Sequence, residues 1–148
     1  MNKYTFQKIY VDTNILINYC NNIQNDKEVL DYLFKHRRKE VLFTSSLAIV
    51  QTIIKLQTGN KNRKKFTRDQ IVEKLNHILP KFTIIDLNLN DIMNGVNSLN
   101  EDVEDSIHYA MSQKLKCDCI LTNNTKDFYF FRLPAFKPVL NLAKLNFK

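Results

Sequence analysis

The chain of 148 residues carries 22 Lys and Arg against 15 Asp and Glu, a formal charge of +7, with 44% apolar and 25% charged residues and only two glycines. This length makes a single domain over residues 1–148, and the composition excludes disordered, collagen-like and low-complexity classes. Uninterrupted apolar runs reach only about four residues, far below the roughly 20 that cross a bilayer, so no membrane partner and a cytoplasmic location are expected.

In chain order, Phe6 to Asp12 is rich in β-formers and stops at a carboxylate, and Thr13-Asn14 and the apolar Ile15-Leu16-Ile17 then open a helix. Asp26 is a candidate cap for a second helix, with Val29, Leu30, Leu33 and Phe34 on one stripe. It runs into the basic His36 to Lys39. Val41 to Thr44 reads as a strand, and Ser45-Ser46 cap a helix carrying Leu47, Val50, Ile53, Ile54 and Leu56, which Gly59-Asn60 ends. After the basic Lys61 to Arg68, Thr67 or Asp69 caps a helix with Ile71, Leu75, Ile78 and Leu79, closed by Pro80 before a strand from Phe82 to Ile85. Helices near Asn90 to Leu99 and Val103 to Lys116, a strand from Cys119 to Thr122, and a short strand near Val139-Leu140 complete the series. Strands alternating with helices imply a parallel sheet between helical layers.

In such a sheet, ligands bind beyond the carboxyl ends of the strands, and the acids fall there. Asp12 ends the first strand, Glu104-Asp105 open a late helix, and Asp127 follows the strand that ends at Thr122. Carboxylates gathered at one point repel unless a cation neutralises them, and hard oxygen donors select Mg2+ or Mn2+. Such an ion activates water against a phosphodiester. Each acid also has a plainer role, because Asp12 or Glu101 to Asp105 could simply cap or complement a helix N-terminus. Pattern alone leaves both open.

The motifs V-D-T-N at Val11 to Asn14, E-D-S-I-H-Y-A at Glu104 to Ala110 and C-D-C-I-L-T-N-N-T-K-D-F at Cys117 to Phe128 together resemble the PIN-domain family of metal-dependent ribonucleases. The resemblance implies a three-layer α/β/α sandwich with a central parallel sheet and endonucleolytic cleavage of RNA. It also implies a VapC-like toxin, held inactive by a cognate antitoxin protein and commonly a homodimer. By position, Asp12 and Asp105 match family acids, Asn14 the polar residue orienting the first acid, and Thr122 the hydroxyl ending the fourth strand. Two family acids fall on amides here, Gln51 and Asn124. Asp127 is expected to compensate for Asn124, so Asp12, Asp105 and Asp127 are the expected ligands of one Mg2+ or Mn2+ ion. Glu104 stands in a second tier, because adjacent helical residues point about 100° apart. Arg37, Arg38 and Lys39, with Lys61, Arg63, Lys64, Lys65 and Arg68, are expected to guide RNA through phosphate contacts.

The alternative is a catalytically inactive PIN-like fold kept for RNA binding or protein interaction, and a third reading is a DNA nuclease. His108 shares a helix face with Asp105 and is expected to be a hydrogen-bonded structural residue. Cys20, Cys117 and Cys119, an odd number without zinc spacing, are expected to be reduced. The last two are expected on one sheet face if the strand has already begun. Phe128 to Phe131 are expected in the core or at an interface.

Overall fold

Ile9–Val11 form β1, and all three side chains are fully buried, as expected of an interior strand of a parallel sheet with both faces covered. The computed structural model describes residues 7–131 and 133–146; Phe6 lies outside them. β1 pairs in parallel with β2 (Leu42–Ser45) on one side and β4 (Cys119–Leu121) on the other, while β3 (Thr83–Ile85) and β5 (Ala135–Phe136) take the edges. The order is β3-β2-β1-β4-β5. The chain therefore reverses direction across the sheet between β1 and β4, which is where a doubly wound fold opens its crevice.

The pleat divides the core in two. Ile9, Val11, Leu42, Cys119 and Leu121 face one layer with Leu16 of α1 (Thr13–Cys20), Leu30 and Leu33 of α2 (Gln24–His36), Leu56 of α3 (Ser46–Thr58) and Ile71 of α4 (Arg68–Ile78). Tyr10, Phe43 and Ile120 face the other, with Met111 of α6 (Val103–Lys114), Phe128 and Phe131. α5 (Leu89–Val96) packs on α6, and α7 (Leu140–Asn146) inserts Ala143 into the first layer. The expected α/β/α sandwich with a central parallel sheet is the fold.

Several local expectations change in the tertiary structure. The last strand is Ala135–Phe136, not Val139-Leu140, because the carbonyls of Pro134 and Phe136 accept from Ile120 and Thr122 at 2.9 Å each. Pro138 has no N–H to continue the ladder, and Leu140 instead opens α7. Asp26 is not a cap. Ile23 holds that position, and Asp26 lies buried in the first turn of α2. On α3 the inward line is Ala48, Thr52 and Leu56, while Val50 and Ile54 are about half exposed. Thr52 can face inward because its hydroxyl donates to the Ala48 carbonyl at 2.7 Å, a local bond that removes the cost of burying it.

Cys117 and Cys119 fall in different layers, since β4 begins only at Cys119. All three cysteines are free and buried, and burial pushes Cys20 up to about 11 and Cys117 up to about 12, so they pack rather than react. Phe128 and Phe131 are core, and Tyr129 is exposed.

The tightest helix contact is at Gly95. A Cβ there would sit 2.9 Å from the backbone of Ile107 on α6. Gly95→Ala is expected to lower stability by about 1–3 kcal/mol through overpacking, read as a lower urea midpoint at unchanged m-value. A wild-type midpoint would show that α5 can move away freely.

Candidate active site

Asp12 leaves β1 at the switch point and caps α1, its Oδ1 accepting from the Thr13 amide at 2.7 Å. Its other oxygen accepts from the Thr122 hydroxyl at 2.8 Å and from Asn14 Nδ2 at 2.9 Å. Thr122 stands at the end of β4 and accepts in turn from the Asn124 amide at 3.0 Å. The plain capping role of Asp12 and its place at the sheet crevice thus belong to the same carboxylate.

The second acid comes from α6. Asp102 caps this helix by accepting from the Asp105 amide at 2.9 Å, which leaves Glu104 and Asp105 in the first turn. Burial, followed by the negative charges of Asp102, Asp12, Asp127 and Glu104, pushes the Asp105 carboxyl up to about 7. A cavity of about 310 Å³ is walled by Asp12, Asn14, Gln51, Glu104, Asp105, His108 and Asn124, with Thr13, Ile17, Ile54 and Lys55 completing it.

Asp127 is next door. The chain turns into a 3-10 helix at Thr125–Phe131, with the Asp127 amide bonded to the Asn124 carbonyl at 3.0 Å. This places Asp127 in a separate depression of about 180 Å³ with Lys126 and Lys137, and Asn124 borders both. Among the described residues no group of three or more His, Cys, Asp or Glu side chains is disposed around one point to hold a metal ion. The expected trio is therefore divided, with Asp12 and Asp105 in one cavity and Asp127 felt there as charge.

Gln51, partly buried in the second turn of α3, faces the cavity. Its carbonyl oxygen accepts from Thr13 Oγ1 at 2.6 Å and from His108 Nε2 at 2.9 Å, and its amide nitrogen donates to Glu104. Because the carboxylate only accepts, this bond fixes the amide's orientation and hence the imidazole tautomer. His108 Nδ1 then accepts from the Tyr10 hydroxyl at 2.7 Å, which accepts from Ser45 Oγ at 2.7 Å. Burial holds the His108 pKa below the ordinary imidazole value despite the charges of Asp12, Glu104 and Asp102. Both ring nitrogens are engaged by Gln51 and Tyr10, and the 3.9 Å approach of Nε2 to Asp12 lies beyond hydrogen-bonding distance. The sequence offered spacing for His108, but nothing that joined it to Tyr10 or Gln51.

The basic runs separate. Arg37 and Arg38 follow α2, and Lys39 opens the short 3-10 helix before β2, with its carbonyl accepting from Thr83 at the start of β3. This is the edge where strands begin, opposite the crevice. Arg63 and Lys64 instead line a cavity of about 290 Å³ that shares Ile17 and Lys55 with the acidic one. Lys61, Lys65 and Arg68 are exposed around the same loop and the start of α4. A larger cavity of about 620 Å³ lies between α5 and α6, but its walls include neither Asp12 nor Asp105, so size does not mark the chemistry here.

Fold and cavity together define a doubly wound α/β protein with carboxylates gathered at its switch point. The chain belongs to the PIN-domain family, whose profile matches residues 9–134. Comparison with curated proteins gives no match. Among solved structures the chain is similar to VapBC2 from Rickettsia felis bound to a promoter DNA fragment, with 18% identity and TM-score 0.62 over 87% of this chain and 98% of that one. A toxin-antitoxin complex from Klebsiella pneumoniae gives 19% identity and TM-score 0.65 over 88% and 98%. VapC20 of Mycobacterium tuberculosis, a sarcin-ricin loop cleaving toxin, gives 13% identity and TM-score 0.58 over 76% and 87%. These likenesses are of fold.

Unfolded, an aspartate loses its proton near 3.9, whereas folded Asp105 keeps it up to about 7. Folding takes up a proton between those values, so this group's contribution makes stability fall as pH rises through the window. Asp105→Asn is expected to raise the thermal midpoint relative to wild type at about pH 8, with the gain vanishing near about pH 4. A gain equal at both pH values would remove the ionisation of a buried, negatively surrounded Asp105 as its cause.

Proposed function

We propose that this PIN-domain protein is a divalent-metal-dependent endoribonuclease and the toxin of a toxin-antitoxin pair. The observation that carries the reading is one cavity in which Asp12 is held by Thr122 and Asn14 while the neighbouring Asp105 is driven up to about 7 by burial and by the negative charge around it. Mg2+ commonly takes only one or two carboxylates and keeps several waters. Asp12 and Asp105 supply that number, a cation would relieve the repulsion at Asp105, and the Gln51 and Asn124 amides add no charge. The donor set suits one hard dication rather than two.

Asp12 and Asp105 would hold the ion, with Asn14 and Thr122 keeping Asp12 in place. When bound, the ion activates water and offsets charge developing on the scissile phosphate. Asp105, pushed up to about 7 without an ion, would have to give up its proton to ligate one, so metal binding there would compete with protonation. Asp127 and Glu104 add negative potential that attracts the cation. The cationic loop from Lys61 to Arg68 draws the polyanion to the crevice.

RNA as substrate is supported by family membership and by the fold's likeness to VapC20. A protein partner is supported by the likeness to toxin-antitoxin complexes. It is further supported by the exposed apolar series Leu89, Met93, Val96, Leu99 and Val103, running from α5 into α6. A homodimer belongs to the same reading. No described helix is long and apolar enough to cross a membrane.

Purified protein with Mn2+ is expected to cut single-stranded RNA, Asp12→Asn to abolish cutting with folding intact, and Thr122→Ala to slow it by about 10- to 100-fold. Cutting that persists in Asp12→Asn, or RNA bound and never cut, overturns the reading.

The second outcome would favour an inactive PIN fold that binds RNA, a reading supported by the Gln51 amide tied to Glu104 where the family pattern expects an acid. Gln51→Glu discriminates. It should tighten Mn2+ binding in either case, but confer new cutting only on a chain that had lost a needed ligand.

A further inference from the structure

The reading of the acidic cavity as the cleavage site leaves open where the rest of the RNA strand lies, and the neighbouring basic cavity addresses that question. We propose that the cavity walled by Lys55, Arg63 and Lys64 is a seat for a backbone phosphate of single-stranded RNA next to the scissile one. This rests on the nuclease reading for its partner, but not for its geometry.

Three cations converge on a space of about 290 Å³ that meets the acidic cavity along Ile17 and Lys55. The loop carrying them is a defined turn. Gly59 has φ +62, and a Cβ there would sit 2.9 Å from the Arg63 carbonyl oxygen. Asn60 and Arg63 exchange two backbone hydrogen bonds of 3.2 Å, and the Asn62 amide donates to Asn60 Oδ1 at 2.8 Å. The chain thus folds back on itself beside α3, with Arg63 and Lys64 turned toward α1.

The guanidinium is fixed from beneath. Arg63 Nη2 donates to Asn18 Oδ1 at 2.7 Å, and Asn18 Nδ2 donates to the buried Asp26 carboxylate at 2.9 Å. Asn123 Nδ2 donates to the same oxygen at 2.8 Å, and the Asn123 amide donates to Asn14 Oδ1 at 3.0 Å. Asn14 then holds Asp12. Asp26 is therefore the hub of one hydrogen-bonded string joining the arginine of the basic cavity to the carboxylate of the acidic one. A guanidinium carries five donors, and the Asn18 bond uses one while orienting the planar fork that suits a phosphate. A tetrahedral dianion or phosphodiester is the ligand this set selects, because Lys55 and Lys64 add charge without planar directionality. Asp26 and Asn18 are positioning residues in this account.

The test is equilibrium binding of a short, unstructured, fluorescent RNA oligomer to the full chain carrying Asp12→Asn, measured across a salt series. Lys55→Ala and Lys64→Ala are each expected to flatten the log–log salt slope by about 0.7, the value for one lost contact on a single strand. Arg63→Lys should keep the slope and weaken binding, because charge remains while the fork held by Asn18 is lost. Lys81→Ala, just before β3 at the opposite sheet edge, should change neither. Wild-type slope and affinity in both lysine variants overturn the seat, even if RNA is still cut by the Asp12 protein. Flattened slopes with no Mn2+-dependent cutting by that protein retain the seat and reject the nuclease reading instead.

Discussion

The Asp12 carboxylate is the point on which the molecule's two halves meet. It ends β1, satisfies the first free amide of α1, and is bound by the hydroxyl that ends β4, 110 residues away in sequence. An N-cap is worth about 0.5–2 kcal/mol, and a threonine bond to a charged acceptor adds to that. The same bonds set the carboxylate where the strand order reverses, between β1 and β4. One carboxylate thus serves both as helix cap and as cavity wall, and Asn, which caps as well as Asp, would keep the first role while removing the charge.

Around Asp12 the protein uses polar connection where apolar packing would have been simpler. Ser45, Tyr10, His108, Gln51 and Glu104 form one relay from the start of α3 to the rim of the cavity. Each interior member has a partner, and no buried side-chain nitrogen or oxygen among the described residues is left without one. Such a network is stable only when complete. It turns the Gln51 oxygen inward, and because α3 carries no acid the cavity's carboxylates come from α6 and the end of β1.

Charge is divided as carefully as polarity. A net +7 spread evenly would only raise nonspecific affinity for polyanions. The fold instead puts the Arg37 to Lys39 run at the edge where strands start, and Arg63 and Lys64 at the edge where they end. Negative charge is concentrated between α6 and β1, where burial and the neighbouring carboxylates together push Asp105 up to about 7. Acidic and basic cavities share a wall, the arrangement a cleaved phosphodiester requires if one phosphate is to be attacked while its neighbour is held.

The sequence by itself determined the strand and helix order as far as β4, the α/β class, the caps at Asp12, Ser45 and Thr67, and the placement of Asp12 at a strand end and Asp105 at a helix start. These follow from local chemistry: β-branched triplets, hydroxyl or carboxylate caps, and glycine or proline stops. Only the tertiary structure decided that the last strand would be Ala135–Phe136 and that a helix would begin at Leu140, that Thr52 rather than Val50 would face inward, and that Asp127 would stand one depression away from Asp105. It alone joined Asp26 to Arg63 and Asp12, and Gln51 to His108. Those choices depend on contacts between residues tens of positions apart, whose energies no local pattern contains.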